Sequence, residues 1–341
     1  MLKRLIGLFG IFTKRELRSS LSIMNKLYKL VIALTSLITH TSLTQTITET
    51  FGSGANQFSI DFVTIGNPGN VPHPSLSVGP IGSVNYVYNI GKYEISREMI
   101  QNASNLGNLG ITLGDMGSAL GNGNMRPGVV SWNEAARFIN WLNVSKGYST
   151  AYKFSSQPGD GGYNSNSNVQ QWTSGESGYN PINPYRNSNA FYFMPNLDEW
   201  HKAAYYNPNT GTYSHFANGS NVAPIAVAEG TDPNTAVYDG QSAPADINNA
   251  GGLSPYGTMA QGGNVWEWQE TDTYSTAKGV RGGAAGNWAG TLAADSMFPS
   301  WPSSEHEKPG FRIAAVPEPS ALSLLAVGLG ALSILRRRRR S

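Results

Sequence analysis

Gly262-Gly263-Asn264-Val265-Trp266-Glu267-Trp268 is the stretch that says most about how this chain folds. The two glycines let the backbone turn or approach a neighbouring segment closely. Beyond them the side chains alternate, so Trp266 and Trp268 share one face of an extended segment and Val265 and Glu267 the other. Two large aromatic side chains on one face predict a buried strand or the entry to one. A carboxylate between them needs a partner, which an arginine, backbone donors or a metal ion would provide.

The composition around this stretch is typical of a loop-rich globular protein. The chain has 341 residues, of which 39 are glycine and only 13% are charged, and it could hold one large domain or two small ones. The 40% of hydrophobic residues is enough for a core. No cysteine is present, which excludes disulfides, thiolate catalysis and cysteine metal sites.

The formal net charge of +2 hides an acidic body between two basic ends. Residues 1–44 contain seven of the 24 Lys and Arg residues, and five consecutive arginines stand at positions 336–340. Between them, residues 45–335 carry 12 basic and 21 acidic side chains. An acidic body argues against a nucleic acid as partner.

The N-terminal region, residues 1–44, has the pattern of a secretory signal. Lys26 and Lys29 precede a short apolar run at 30–38, and small residues follow it. Met24 stands just before this charged start, so we expect it to be the true initiator. The alternative is an uncleaved membrane anchor, for which the apolar run is short.

The C-terminal segment, residues 316–341, has three consecutive parts. Pro317-Glu318-Pro319 leads into an uncharged run at 321–335, and the five arginines follow. The run is just long enough to cross a bilayer, and the arginines would hold its end in the cytoplasm. This order resembles the PEP-CTERM sorting signal of exopolysaccharide-producing Gram-negative bacteria. The resemblance implies that the partner is a sorting machinery that includes a membrane protease. It also implies that the protein is located in the cell envelope or at the cell surface after the segment has anchored it transiently in the membrane.

Two capping boxes predict helices in the body, residues 45–315. Ser131 with Glu134 and Asn196 with Glu199 each place a capping side chain three residues before a glutamate. We expect His201 to be a surface residue of the second of these helices. Residues 154–190 are rich in Gly, Ser, Asn and Tyr without periodicity and predict a long loop, which in a compact domain is usually functional or disordered.

Six motifs of the body, in this order, resemble the formylglycine-generating enzyme (sulfatase-modifying factor) family. They are Gly91-Lys92-Tyr93-Glu94-Ile95-Ser96, the segment from Pro127 to Phe138, the segment from Pro195 to Ala204, Ser254-Pro255-Tyr256-Gly257 with the 262–268 stretch, Arg281-Gly282-Gly283, and Gly310-Phe311-Arg312. The resemblance implies an α+β fold: a single compact, loop-rich domain related to C-type lectins. One departure is that the arginine leading the family's third motif is absent, with Phe193 in its region.

The resemblance also says which chemistry is missing. Family enzymes bind copper with two cysteines, whose positions fall at about Asn287 and near Leu292 in this chain. Neither residue can provide a thiolate, so copper and formylglycine-generating activity are not expected. Another branch binds iron with histidines, but His73, His201, His215 and His306 show no ligand spacing.

Calcium is the cofactor that the resemblance leaves open. By position, its ligands would be the carbonyl oxygens of Gly263 and Val265 and the carboxylate of Glu267. A further side-chain ligand falls at Ala260, where the family has Asp or Asn, and losing it should weaken a site that wants six to eight oxygens.

The sequence therefore predicts an exported envelope protein that binds an unknown ligand or partner without catalysis. The alternatives are an oxidoreductase-type enzyme of the same family with a non-thiol site, and a structural surface protein. A loop cavity lined by converging polar residues would favour binding or catalysis, whereas a loop face without a cavity would favour the structural role.

Overall fold

The larger sheet of the protein contains an alternating segment that begins at Phe58. The computed structural model describes residues 46–75, 79–116, 122–156, 160, 169–274, 277–304 and 308–317. Within them, the apolar side chains of Phe58–Ile65 alternate toward the core. The strands of the described residues are β1 (Thr46–Phe51), β2 (Phe58–Ile65), β3 (His73–Ser75), β4 (Gly79–Ile81), β5 (Tyr88–Gly91), β6 (Tyr192–Phe193), β7 (Tyr206–Asn207), β8 (Thr212–Tyr213), β9 (Ile225–Ala226), β10 (Thr235–Ala236), β11 (Glu267–Tyr274), β12 (Ala277–Arg281), β13 (Phe298–Ser300) and β14 (Ala314–Ala315).

Antiparallel pairing organises both of the main sheets. The five-stranded sheet has the order β1-β2-β5-β14-β6, so β14 closes the sheet between β5 and β6. The second sheet has the order β11-β12-β13 and contains the end of the tryptophan stretch. Three short two-stranded ladders, β3-β4, β7-β8 and β9-β10, lie in the connections. Long connections and few regular elements make this a loop-rich structure.

The α-helices begin where local capping residues predict them. They are α1 (Arg97–Gly107), α2 (Trp132–Ser145) and α3 (Leu197–Tyr205). Ser131 and Asn196 both form complete capping boxes with the glutamate three residues later, which confirms the two predicted helix starts. Ser96 caps α1 by accepting a hydrogen bond from the backbone of Met99 at 3.2 Å. Short 3-10 helices cover Gly54–Asn56 and Ala289–Leu292.

Tryptophans from distant segments lie in the core, as their apolar faces predict. Trp132, Trp200 and Trp268 are fully buried and Trp266 is nearly so. The indole N–H groups of Trp132 and Trp268 donate to the backbone oxygens of Gln269 and Val130 at 3.0 and 2.8 Å. The mixture of helix and sheet in one loop-rich domain confirms the predicted α+β class.

The ends of the chain are outside the described residues. The predicted signal region, residues 1–44, precedes the first described residue and stays a prediction. Among the residues that the structure describes, no helix has the length and apolar character to cross a membrane. The predicted span at 321–335 is outside this part of the chain, so it stays a prediction.

Candidate functional site

The carboxylate of Glu267 is the centre of the region to which the sequence points. Glu267 is the first residue of β11 and its side chain is fully buried. Its Oε1 accepts a hydrogen bond from Arg312 Nη2 at 2.5 Å. Its Oε2 accepts from Arg312 Nε at 2.6 Å and from Trp200 Nε1 at 2.7 Å. Of the partners that the sequence left open, the structure shows an arginine, and the indole of Trp200 is a further donor.

All three guanidinium nitrogens of Arg312 donate hydrogen bonds within the protein. Its Nη1 donates to the backbone oxygen of Gly91 at 2.9 Å, and its Nη2 donates to that of Met259 at 2.8 Å. The guanidinium therefore joins the end of β5, the loop before the tryptophan stretch, and β11. A buried charge with this many partners is stabilised in place rather than available for a ligand.

These contacts bear on the calcium ligands predicted from the sequence. Three hydrogen bonds already occupy the oxygens of Glu267, and the positive charge of Arg312 lies directly against them. A divalent cation at the same carboxylate would be repelled by that charge. The set Gly263, Val265 and Glu267 therefore does not fit a calcium ion in this arrangement. Ala260, at the position of the further ligand, is buried and has no side-chain oxygen.

Gly263 and Asn264, within the tryptophan stretch, have structural roles of their own. Gly263 has a φ of 103°, and a Cβ on it would lie 2.4 Å from the backbone oxygen of Val237, so only glycine fits there. Asn264 adopts a left-handed conformation with a φ of 63°. Its Nδ2 donates to Glu94 Oε2 at 2.6 Å, and its Oδ1 accepts from the backbone of Ala245 at 2.7 Å. Asn264 thus links the stretch to a second buried carboxyl group.

Glu94 is that second carboxyl group, and sequence reasoning had not singled it out. It is 1% exposed, and its Oε1 is buried without a hydrogen-bond partner among the described residues. Burial raises the pKa of Glu94 well above its usual value, and the charge of Glu267 raises it further. Arg312 and the hydrogen bond from Asn264 oppose this shift in pKa. Glu94 therefore holds its proton to higher pH than an exposed glutamate does.

A cavity of about 200 Å³ lies beside Glu94. Strand β2, the segment after β5, helix α1 and two loops contribute to its walls. Its lining residues are Ser59, Ile60, Asp61, Tyr93, Glu94, Met99, Met125, Ile247 and Asn248. The polar members come from three separate segments, so this is a loop-bordered cavity with converging polar groups. No single motif of the sequence predicts it, because the residues meet only in the fold.

The two loops that border the cavity are tied to each other. The backbone N–H of Ile247 donates to the oxygen of Met125 at 2.9 Å. Arg126 forms an ion pair with Asp246 at 3.2 Å and donates through Nη1 to the oxygen of Pro244 at 2.7 Å. These bonds keep this wall of the cavity formed without a ligand.

The positions equivalent to the family's cysteines have a different character. Leu292 is fully buried, and its backbone oxygen accepts from the hydroxyl of Tyr205 at 3.0 Å. Asn287 uses its Oδ1 to accept from the backbone of Ala284 at 2.9 Å. The cavity next to Leu292 has about 20 Å³, which is room for about one water molecule.

The prediction that His201 is a surface residue was wrong. His201 is fully buried, and its Nε2 lies 3.2 Å from Nδ1 of His73 on β3. The two rings are tilted by only 21°, which suits one hydrogen bond between neutral imidazoles. The packing of β3 and β4 over α3 covers this helix face, which helical periodicity alone could not reveal. Within the described ranges, no three His, Cys, Asp or Glu residues are grouped to hold a metal ion.

A second buried ion network was also missed by sequence reasoning. Arg186, from the long loop, lies between Glu199 on α3 and Glu270 on β11, with Nη2 at 2.8 and 2.6 Å from their carboxylates. Its guanidinium also lies 3.8 Å from the ring centroid of Phe193. The family's third motif begins with an arginine, and this chain has Phe193 in that region. The guanidinium of Arg186 lies over Phe193, so a guanidinium is present there although it comes from a different segment. Its contacts fix the part of the long loop that the structure describes.

Comparison with known proteins agrees with this fold and with the C-terminal motif. The family model for a sulfatase-modifying factor enzyme 1-like domain matches residues 115–316, and the model for a PEP-CTERM protein-sorting motif matches residues 315–340. No curated protein sequence matches the chain significantly.

Two solved structures are similar to the protein over most of its length. Treponema denticola variable protein 1 has a TM-score of 0.55 and 19% identity, over 80% of this chain and 99% of its own. A crystal structure of CarF has a TM-score of 0.54 and 18% identity, over 76% of this chain and 99% of its own. At these identities the likeness shows the fold alone.

Proposed function

This chain belongs to the sulfatase-modifying factor enzyme 1-like family and carries a PEP-CTERM sorting motif, and from that premise we propose that it is a non-catalytic binding protein of the cell envelope. The observation that carries the proposal is the cavity beside Glu94. It offers about 200 Å³ and converging polar groups, whereas the cavity next to Leu292, one of the two positions that correspond to the cysteines, has about 20 Å³. Binding is thus supported at a place different from the catalytic centre of the namesake enzymes.

The chemistry of the namesake enzymes is not supported by the residues present. A copper site of that type needs thiolates, and the chain contains no cysteine. Asn287 and Leu292, at the corresponding positions, are used for loop structure and core packing. The alternative of an enzyme with a non-thiol site is less well supported, since the charges of the Glu267–Arg312 pair and of Arg186 are compensated within the protein.

Delivery to the envelope follows from the two ends of the chain. In this proposal residues 1–44 direct export and the segment 316–341 is recognised by a membrane sorting protease, which removes it. The protein would then be released at the surface of a Gram-negative cell after transient anchoring. The mass of the envelope form tests this step: it should end near residue 319 and lack the five arginines, and an intact arginine block on the mature protein would contradict it.

The binding proposal is tested by filling the cavity. A library of small metabolites is screened by ligand-observed NMR against the exported form, against Met125→Trp, which fills the cavity, and against Met297→Trp as control. Met297 does not line the cavity. Ligands should bind the native protein and Met297→Trp but not Met125→Trp. Binding that survives in Met125→Trp would place the ligand elsewhere and overturn the assignment of this cavity.

The absence of catalysis has its own test. The copper-loaded protein is incubated with oxygen and a peptide carrying the sulfatase motif, and the peptide mass is measured. We expect no aldehyde, since no side chain of the chain can provide the thiolate pair. Copper-dependent formation of the aldehyde would make the protein an enzyme and refute the non-catalytic part of the proposal.

A further inference from the structure

We infer that the cavity beside Glu94 is selective for a small ligand with an apolar body and a cationic ammonium end. This inference rests on the proposed function, because it names the chemical class of ligand for the same cavity. The observation behind it is that one part of the cavity lining is apolar and another part contains carboxyl groups.

The apolar part is made of aliphatic and thioether side chains. Ile60 and Ile247 are almost completely buried, and Met99 and Met125 are partly exposed at the cavity. Methionine side chains are flexible and polarisable, so they adapt to an apolar group of irregular shape. This part of the wall favours a hydrocarbon body over a fully hydroxylated one, whose hydroxyl groups would lose their water here.

The acidic part consists of Asp61 and Glu94, and no Lys, Arg or His is among the lining residues. Asp61 Oδ1 accepts a hydrogen bond from Thr48 Oγ1 at 2.7 Å, which leaves the rest of this half-buried carboxylate for other donors. Glu94 adds an oxygen, Oε1, that has no hydrogen-bond partner among the described residues. An ammonium group brings three donors and a positive charge, which suits these acceptors.

Arg126 and Lys92, which are adjacent in sequence to lining residues, and Arg312, whose charge acts on Glu94, already have partners. Arg126, next to Met125 in sequence, is paired with Asp246. The Nζ of Lys92 lies 5.2 Å from the ring centroid of Tyr93, a lining residue. Asp61 therefore has no basic partner among the lining residues, and a cationic ligand would pair with its carboxylate. The buried Glu94 holds its proton, so it contributes polar oxygens rather than a charge.

The test uses three probes with the same four-carbon chain and different ends: n-butylammonium, 1-butanol and butyrate. The exported form is labelled at its methionine methyl groups, and their NMR signals are followed during titration. Met99 and Met125 report on the cavity, and the fully buried Met194 reports on the integrity of the fold. We expect n-butylammonium to shift the signals of Met99 and Met125 and to bind about tenfold more tightly than 1-butanol, with butyrate weakest.

Variants of the two acids show where the selectivity arises. Asp61→Asn should remove most of the preference for n-butylammonium, and Glu94→Gln should reduce it. Asp239→Asn is the matched control, since Asp239 is exposed and does not line the cavity. Glu94→Gln keeps an oxygen for Asn264, so it remains informative if Asp61→Asn disturbs the strand pair β1-β2.

The outcomes separate this inference from the proposed function. Equal affinity for n-butylammonium and 1-butanol, or an unchanged preference in both acid variants, would overturn the cationic class while binding in the cavity stands. A preference for butyrate would do the same. If no probe shifts Met99 or Met125 at millimolar concentration, both the inference and the cavity as a binding site are refuted.

Discussion

Glu267 and Arg312, 45 residues apart in sequence, form an ion pair in which neither side chain is exposed to solvent. Both carboxylate oxygens of Glu267 and three nitrogens of Arg312 take part in hydrogen bonds. The pair connects β11 with the segment before β14. It gives the conspicuous carboxylate of the tryptophan stretch a structural role.

Removing Arg312 should therefore destabilise the protein strongly. Arg312→Met leaves the Glu267 carboxylate buried without its cation, and we expect a loss of about 3–5 kcal/mol in the free energy of unfolding. Urea denaturation measures it. The double variant Arg312→Met with Glu267→Gln should recover part of this loss, because the uncompensated charge is gone. If the double variant is no more stable than the single one, charge is not the reason for the loss.

Calcium should have no effect on the thermal stability of the native protein. Arg312 already compensates the carboxylate that the sequence assigns to a calcium site, and Ala260 provides no oxygen. The melting temperature is compared in millimolar calcium and in excess chelator, where a ligand that binds only the folded state would raise it. A melting temperature that rises with calcium would instead support the ligand set of Gly263, Val265 and Glu267.

Trp266 should contribute much more to stability than an exposed tryptophan. It is 6% exposed and its ring lies edge-to-face with Phe298 at a centroid distance of 5.0 Å. Trp266→Ala should cost about 3–5 kcal/mol in the free energy of unfolding. The control Trp288→Ala changes a side chain that is 69% exposed and should stay within about 0.5 kcal/mol of the native protein. Similar losses for both variants would mean that the stretch is not part of the core.

Arg186 should hold the long loop against the body of the domain. Arg186→Met leaves the buried carboxylates of Glu199 and Glu270 without their shared cation, which should cost about 3–5 kcal/mol. Limited proteolysis should then cut within the loop before the rest of the domain. The control Lys146→Met breaks a solvent-accessible pair with Glu49 and should cost less than about 1 kcal/mol. A resistant loop in Arg186→Met would show that other contacts hold it.

The buried histidine predicts a loss of stability in mild acid. Burial lowers the pKa of His201 well below 6.5, and the charge of Arg281 lowers it further. Because the unfolded state binds the proton more readily, stability is fully present above the unfolded pKa of about 6.5 and is lost as pH falls toward the folded pKa. Urea denaturation between about pH 7.5 and about pH 5 should show a shallower pH dependence for His201→Gln than for the native protein.

A matched histidine variant controls for the other titrating groups. His215 is exposed, so His215→Gln should keep the pH dependence of the native protein. An identical pH dependence in His201→Gln and the native protein would show that His201 does not become protonated in this range.

Local features were predictable because they depend on residues close in sequence. The capping boxes of Ser131 and Asn196 involve a glutamate three residues away, and both form as predicted. The burial of Trp266 and Trp268 also follows from side-chain alternation within one short segment. The order and residue identities of the motifs were enough to predict the α+β, C-type-lectin-like fold and the PEP-CTERM motif.

Long-range contacts were not predictable, because nothing in a local pattern selects one partner among many. Sequence reasoning placed His201 on the surface, yet His73, 128 residues before it, covers it. The third motif lacks the family's leading arginine, and sequence reasoning did not show that Arg186, from the long loop, pairs with Glu199 of that motif.

By itself, the sequence determined the loss of thiol chemistry, since a chain without cysteine cannot form a thiolate in any conformation. It also determined the helix starts and the tryptophan core, which depend on local spacing. Only the tertiary structure decided that Arg312, 45 residues away in sequence, pairs with Glu267. It also decided where a cavity remains, because the walls beside Glu94 come from segments up to 189 residues apart and exist only when those segments pack.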